Sequence, residues 1–261
     1  MGFFAATVCE GDRWDVVDGW QQGRGAWGGL VVAAALRHAG AQVGERTLRS
    51  VSSHLMAPVV VGEMHLASHV LRAGTGMTTV RTVISDDTGA PCVDTVSIWG
   101  FDRADDIDPP YASWGVAHKP EVPDWRAVDI APVAPPLGPA FAQHLQFRVI
   151  EGFPMSGTSR VLGWIGLPEP IAQWDAAHLV GLVDAWWPGA IARASAMRPM
   201  ATVAFSAQLL VDPATVPADE PLLHEAWISR AEGGFTAETR RLWTSDGRLA
   251  VENFQSIAII R

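Results

Sequence analysis

Two runs of the chain are apolar on every side rather than on one. Gly28-Gly29-Leu30-Val31-Val32-Ala33-Ala34-Ala35-Leu36 and Leu179-Val180-Gly181-Leu182-Val183 predict helices over roughly residues 27–39 and 178–196. A helix without a polar face must be surrounded, and an antiparallel sheet wrapped around it is the economical enclosure. Downstream of each run the pattern becomes strand, turn, strand, hairpin, strand. Arg72-Ala73-Gly74-Thr75-Gly76-Met77-Thr78 and Arg230-Ala231-Glu232-Gly233-Gly234-Phe235-Thr236 stand 158 residues apart. The same offset pairs Gly89 with Gly247, Val93 with Val251 and Asp94 with Glu252, without a gap. Each glycine follows an acidic turn, and Asp246-Gly247 is a strong hairpin signal. One unit is written twice, and two such units side by side can share one continuous sheet.

The segment from Asp102 to Pro139 holds Pro109, Pro110, Pro120, Pro123, Pro132, Pro135, Pro136 and Pro139 behind an acidic start at Asp105, Asp106 and Asp108. Such proline density forbids long helices and central strands. It predicts an extended surface linker, 102–139, between units over 1–101 and 140–261.

With 48% apolar and 18% charged residues, the chain can bury a sizeable core. Twelve Trp against one Tyr point to large apolar walls. A net charge of −9 and no Lys/Arg run argue against nucleic acid as a partner, while a small anionic ligand needs only a few local arginines. Cys9 and Cys92 read as unpaired thiols, and His65-x3-His69 is rejected as a metal pair, so no metal is expected. No apolar run reaches the ~18–20 residues of a membrane span, and residues 1–10 lack the basic start of a signal peptide. The expectation is a soluble cytoplasmic protein. Gly152-Phe153-Pro154-Met155-Ser156 lacks the glycine two before the serine that a nucleophile elbow requires. No glycine-rich phosphate loop appears, so no cofactor is expected.

Asp184 is the only acid between Asp175 and Asp212 and sits in an apolar run. Burial disfavours its charged form and raises its proton affinity, the direction a general base needs. An acid at a helix N-terminus, stabilised by the helix dipole, is the competing reading. Thr202 offers a hydroxyl and Gln255 an amide, both able to hold a water; taken singly, each is an ordinary strand residue.

Three motifs carry a resemblance over nearly the whole chain. They are Gly25-Ala26-Trp27-Gly28-Gly29, Val183-Asp184-Ala185-Trp186-Trp187-Pro188, and Leu242-Trp243-Thr244-Ser245-Asp246-Gly247-Arg248-Leu249-Ala250 followed by Gln255. With them the chain resembles the acyl-CoA thioesterase II family. The resemblance implies an α+β double hotdog fold, each unit an antiparallel sheet around a long central helix. It implies hydrolysis of acyl-CoA by water that Asp184, Thr202 and Gln255 orient, and a homodimer or higher assembly. Gly28 and Gly29, with open N–H groups at a helix start, suit a thioester oxygen, although close packing explains them equally well. His54, Trp186 and Trp187 are the further candidate substrate contacts, with an ordinary core or surface histidine the competing reading of His54. The chain departs from the family at Ala204-Phe205-Ser206, where a polar or His-containing strand is common. The first helix has no Asp or Glu, which predicts one working site and one degenerate site. Two alternatives stay open: a non-catalytic acyl-CoA or lipid-binding protein, and a hydratase or dehydratase on the same fold. The second is disfavoured because no His lies between Asp184 and Met200.

Overall fold

The computed structural model describes residues 1–103 and 117–260. The acidic start of the Pro-rich segment and Pro109-Pro110 lie outside the described residues. The first half contains α1 (Phe3–Ala6), β1 (Arg13–Val16), β2 (Gln21–Gln22), β3 (Gly25–Ala26), α2 (Gly28–Gly40), β4 (Thr47–Leu55), β5 (Gly62–Ala73), β6 (Met77–Ser85) and β7 (Pro91–Gly100). The second contains β8 (Gln146–Glu151), β9 (Arg160–Gly166), α3 (Ala176–Leu182), α4 (Gly189–Arg193), β10 (Met200–Leu209), β11 (Leu222–Glu232), β12 (Phe235–Trp243) and β13 (Leu249–Ile259).

Eleven strands form one sheet in the order β1-β5-β6-β7-β4-β10-β13-β12-β11-β9-β8. Outward from the central β4–β10 seam the order is β4, β7, β6, β5, β1 on one side and β10, β13, β12, β11, β9 on the other. The repeat seen in the sequence is therefore a repeat of topology, and the fold is a double hotdog. Antiparallel pairing from Ala204↔His54 to Gln208↔Ser50 closes the seam. The turns fall at the matched glycines. Gly233 and Gly234, at φ 63° and 85°, make the two-residue loop between β11 and β12, a conformation glycine adopts without strain. Gly247, at φ 100°, donates its N–H to the Thr244 carbonyl at 3.0 Å.

Helix α2 is buried from Gly29 through Leu36, as its uniformly apolar sequence requires. Arg37 and His38 stand in its last turn, where positive charge suits the helix dipole.

The second helix differs from its expected span of 178–196. Helix α3 starts at the N-cap Asp175, whose carboxylate accepts the His178 N–H at 2.9 Å, and it ends at Leu182. A turn over 183–188 follows, and the short α4 resumes the helical path. Pro188 is the cause: it lacks an N–H, and its ring would clash with the carbonyl of residue 184 in a continuing helix. That carbonyl instead accepts from the Trp27 indole at 3.0 Å. Asp184 thus stands just beyond α3 rather than within it, with its carboxylate at the N-terminus of α2.

Helices α2 and α3 touch where two glycines meet. A Cβ on Gly29 would lie 2.2 Å from the Gly181 carbonyl oxygen, and one on Gly181 would lie 2.5 Å from that of Gly29. From residue 117 onward the Pro-rich segment covers the outer face of the second-half sheet. Ala117, Val122, Trp125 and Val128 pack on Leu162, Trp164, Leu223 and Trp243, and the Trp164 indole donates to the Pro123 carbonyl at 3.1 Å. Among the described residues no helix is long and apolar enough to cross a membrane.

Candidate active site

Thr202, Gln255 and Asp184 come together in one hydrogen-bonded chain. The Thr202 hydroxyl donates to Gln255 Oε1 at 2.9 Å, and Gln255 Nε2 donates to Asp184 Oδ1 at 2.8 Å. Strand pairing sets this up. Gln255 lies opposite Phe205, and Thr202 opposite Ile257, after a bulge between Thr202 and Ala204 that restores the inward alternation. Gln255 is fully buried and Asp184 is 7% exposed, while Thr202 is half-buried.

The amide of Gln255 is fully engaged, because Nε2 also donates to Asn253 Oδ1 at 3.0 Å and Asn253 Nδ2 donates to the Ser206 carbonyl at 2.8 Å. Gln255 therefore fixes Asp184 and Thr202 instead of presenting a free end to water. Asp184 Oδ1 also receives Arg240 Nη1 at 3.3 Å. Oδ2 faces the start of α2, only 2.8 Å from where a Gly28 Cβ would stand. Burial raises the Asp184 carboxyl above its ordinary value. The Arg240 charge, the Gln255 bond and the Gly29 N–H pull it down, and the Glu238 charge adds to the rise.

The other candidates are placed unequally. Gly28 stands beside Oδ2, and Gly29 serves both the helix contact and Asp184. Trp186 is buried, stacked on His224 with ring centroids 5.3 Å apart, and packed against Gly163, where a Cβ would lie 2.4 Å from its ring. It fills the core beneath β9. Trp187 is half-buried, its indole donating to the Gly152 carbonyl at 2.7 Å. His54 is not brought to the trio. Val51 and Ser53 point inward, so His54 points to the outer face, exposed and paired across from Ala204 and Asp94. Helix α2 presents no carboxylate, and the inward positions of the first half carry hydroxyls, such as the Ser53–Thr95 pair at 2.8 Å. Open clefts of roughly 210 to 530 Å³ lie elsewhere, along the Pro-rich segment and the N-terminus. Beside Asp184 Oδ2 stand Gly28 and the Leu55 side chain, 3.4 Å from where a Gly28 Cβ would lie.

The comparisons with known proteins bear on this geometry. The family model for the acyl-CoA thioesterase N-terminal domain matches residues 16–100, and that for the acyl-CoA thioesterase C-terminal domain matches residues 117–259. The chain belongs to the acyl-CoA thioesterase family. Thioester hydrolysis is thus the reaction class of this enzyme. Among solved structures, a hot dog fold protein of unknown function from Alicyclobacillus acidocaldarius superposes with a TM-score of 0.89 at 20% identity, over 99% of this chain and 98% of its own. A putative thioesterase II from Thermobifida fusca YX gives 0.80 at 21% identity, over 99% and 97%. The tesB protein of Mycobacterium avium subspecies paratuberculosis gives 0.79 at 15% identity, over 99% and 98%. These likenesses show the fold. Among curated proteins, none matches this chain.

Three buried polar residues around Asp184 are not among the candidates read from the sequence. Arg240, 1% exposed, reaches Asp184 and also donates to the Trp186 carbonyl at 3.3 Å and to Glu238 Oε2 at 3.2 Å. Glu238, fully buried, accepts the Ala190 N–H at 3.3 Å. His224 is buried beside them, and burial together with the Arg240 charge holds it well below the ordinary histidine value. The internal repeat contains the signal for the first two. Offset by 158, Glu238 and Arg240 fall on Val80 and Thr82 of β6, both buried, so charge stands at two positions the first copy shows to be core.

Proposed function

We propose that this enzyme hydrolyses acyl-CoA with a water molecule activated by Asp184, and that Thr202, Gln255, Gly28 and Gly29 complete the site. The observation that carries this reading is the chain Thr202–Gln255–Asp184, which saturates Oδ1 with donors and leaves Oδ2 turned toward the start of α2. Asp184 Oδ2 takes a proton from water as the water oxygen attacks the thioester carbon. Thr202 accepts from that water through its free lone pairs. The developing oxyanion meets the Gly28 N–H at the start of α2, the Gly29 N–H being engaged by Asp184, and the helix dipole also favours negative charge there. When the carbon–sulfur bond breaks, the proton on Asp184 passes to the departing thiolate, giving the free acid and CoA thiol. No metal or nucleotide takes part in this scheme.

Gln255 orients Asp184 and Thr202, and Trp186 shapes the wall behind Asp184 from within the core. His54 has no part at Asp184. The division into units over 1–101 and 140–261 with a linker at 102–139 belongs to the same proposal. So does a cytoplasmic homodimer or higher assembly, in which a second copy would cover exposed apolar side chains such as Phe235 and Phe254.

The test is thiol release from a panel of acyl-CoAs of increasing chain length, followed against pH. At least one thioester should be turned over. Because the base must be ionised and burial raises its carboxyl, activity should fall on acidification with an inflection above the ordinary carboxylate value of about 4. CoA ester binding without thiol release at any length would favour the binding-protein alternative. An acid limb at about 4 or below would place the base on an exposed carboxylate.

A further inference from the structure

Arg240 and Glu238 are the most unusual side chains in this fold. Each is buried, each is charged, and both lie on the inward face of β12 beside Asp184. A buried ion pair is weak evidence for stability, because desolvating two charges offsets most of their attraction. The first half closes the same sheet position with Val80 and Thr82, so the fold itself does not demand a charge there.

We propose that Arg240, held by Glu238, is a positioning residue for hydrolysis: it fixes Asp184 Oδ1 and supplies the countercharge while Oδ2 waits for the proton of water. This rests on Asp184 being the base. Arg240 stands between two carboxylates at nearly equal distances, 3.3 Å to Asp184 and 3.2 Å to Glu238. With Asp184 ionised, one positive charge serves two negative ones. When Asp184 takes the proton, Arg240 and Glu238 neutralise each other, so the net buried negative charge of the ionised state disappears. Among the described residues the groups around Asp184 are Arg240 and Glu238 from β12, Gln255 with Asn253 behind it from β13, Thr202 from β10, the Gly29 N–H from α2, and neutral His224 from β11 behind Trp186. Arg240 is therefore the only positive charge in contact with the base.

The test is the pH profile of kcat and KM for thiol release in two variants that change the pair in opposite ways. Glu238→Val with Arg240→Thr installs the residues of the first copy and leaves no orphan charge. Its acid limb should move up, by less than the roughly one to three pH units that losing an opposite charge alone gives, because the Glu238 charge leaves with it. kcat just above the wild-type limb should fall, activity should return toward wild type at alkaline pH, and KM should change little. Glu238→Gln leaves Arg240 to Asp184 alone, so its acid limb should move down. A structural role would not give limbs that move in opposite directions. Wild-type profiles in both variants would overturn the proposal. If the double variant does not fold, Glu238→Gln decides alone: a downward limb supports the proposal and an unchanged one ends it. Asp184→Asn serves as the control on the base itself. Inactivity there with unmoved limbs in the pair variants removes only the role of Arg240, whereas full activity there removes the base assignment on which it rests.

Discussion

Asp184→Asn is expected to lose roughly 10²- to 10⁴-fold in turnover, the usual contribution of a positioned general base, while acyl-CoA binding is largely kept. The amide is nearly isosteric, and its oxygen can still accept from Gln255 Nε2 as Asp184 Oδ1 does at 2.8 Å. What disappears is the basic Oδ2 facing Gly28. Stability should not fall with activity. The carboxyl is raised in the folded protein, chiefly by burial, so its contribution is fully present below the unfolded value and is lost as pH rises through the folded one. An asparagine does not titrate, so the variant should be at least as stable as wild type at neutral and alkaline pH. Steady-state kinetics with thermal melts at two pH values check both halves of this expectation. A large loss of melting temperature at neutral pH would mean that Asp184 holds the fold together instead of storing strain for chemistry.

Gly28→Ala and Gly29→Ala should fail in different ways, although they are neighbours at one helix start. At Gly29 the new methyl would meet the Gly181 carbonyl oxygen at 2.2 Å and the Trp27 ring at 2.3 Å. Neither is a flexible chain end, so α2 and α3 must separate. Overpacking of this kind costs typically about 1–3 kcal/mol, and each kcal/mol lowers the melting temperature of a chain this size by roughly 2–4 °C. At Gly28 the methyl meets Asp184 Oδ2 at 2.8 Å and the Leu55 side chain at 3.4 Å. Leu55 can turn aside and Asp184 Oδ2 is a side-chain end rather than backbone, so Gly28→Ala should lower the melting temperature less than Gly29→Ala. It should nonetheless lose most of its turnover, because the methyl occupies the space beside the reacting oxygen. Equal melting losses in the two variants would contradict this division between packing and access.

The fold was legible because its strongest signals are local and repeated. The uniformly apolar residues 28–36 require enclosure, and glycines at matched offsets require turns. The break after Leu182 was less visible because Trp186 and Trp187 continue the apolar run through the turn; Pro188 alone marks the stop. The facing of His54 was hidden for a related reason. Ser50, Ser52 and Ser53 surround it, so hydropathy does not reveal which alternate positions face inward, and only the pairing with Ala204 and Asp94 puts it outside. The pairing of Thr202 with Gln255 depends on a bulge that no residue type announces. Glu238 and Arg240 look like solvated strand charges until β12 is laid on β6, where Val80 and Thr82 show those positions to be interior.

Single-turnover hydrolysis in ¹⁸O-labelled water, with enzyme in excess over acyl-CoA, tests most directly whether water activated at Asp184 attacks the thioester. The expected result is one labelled oxygen in the free acid from the first turnover and none in the Asp184 carboxylate. A first-turnover acid carrying only unlabelled oxygen, with the label found in Asp184, would mean that the carboxylate attacks the carbonyl itself and would contradict direct attack by water.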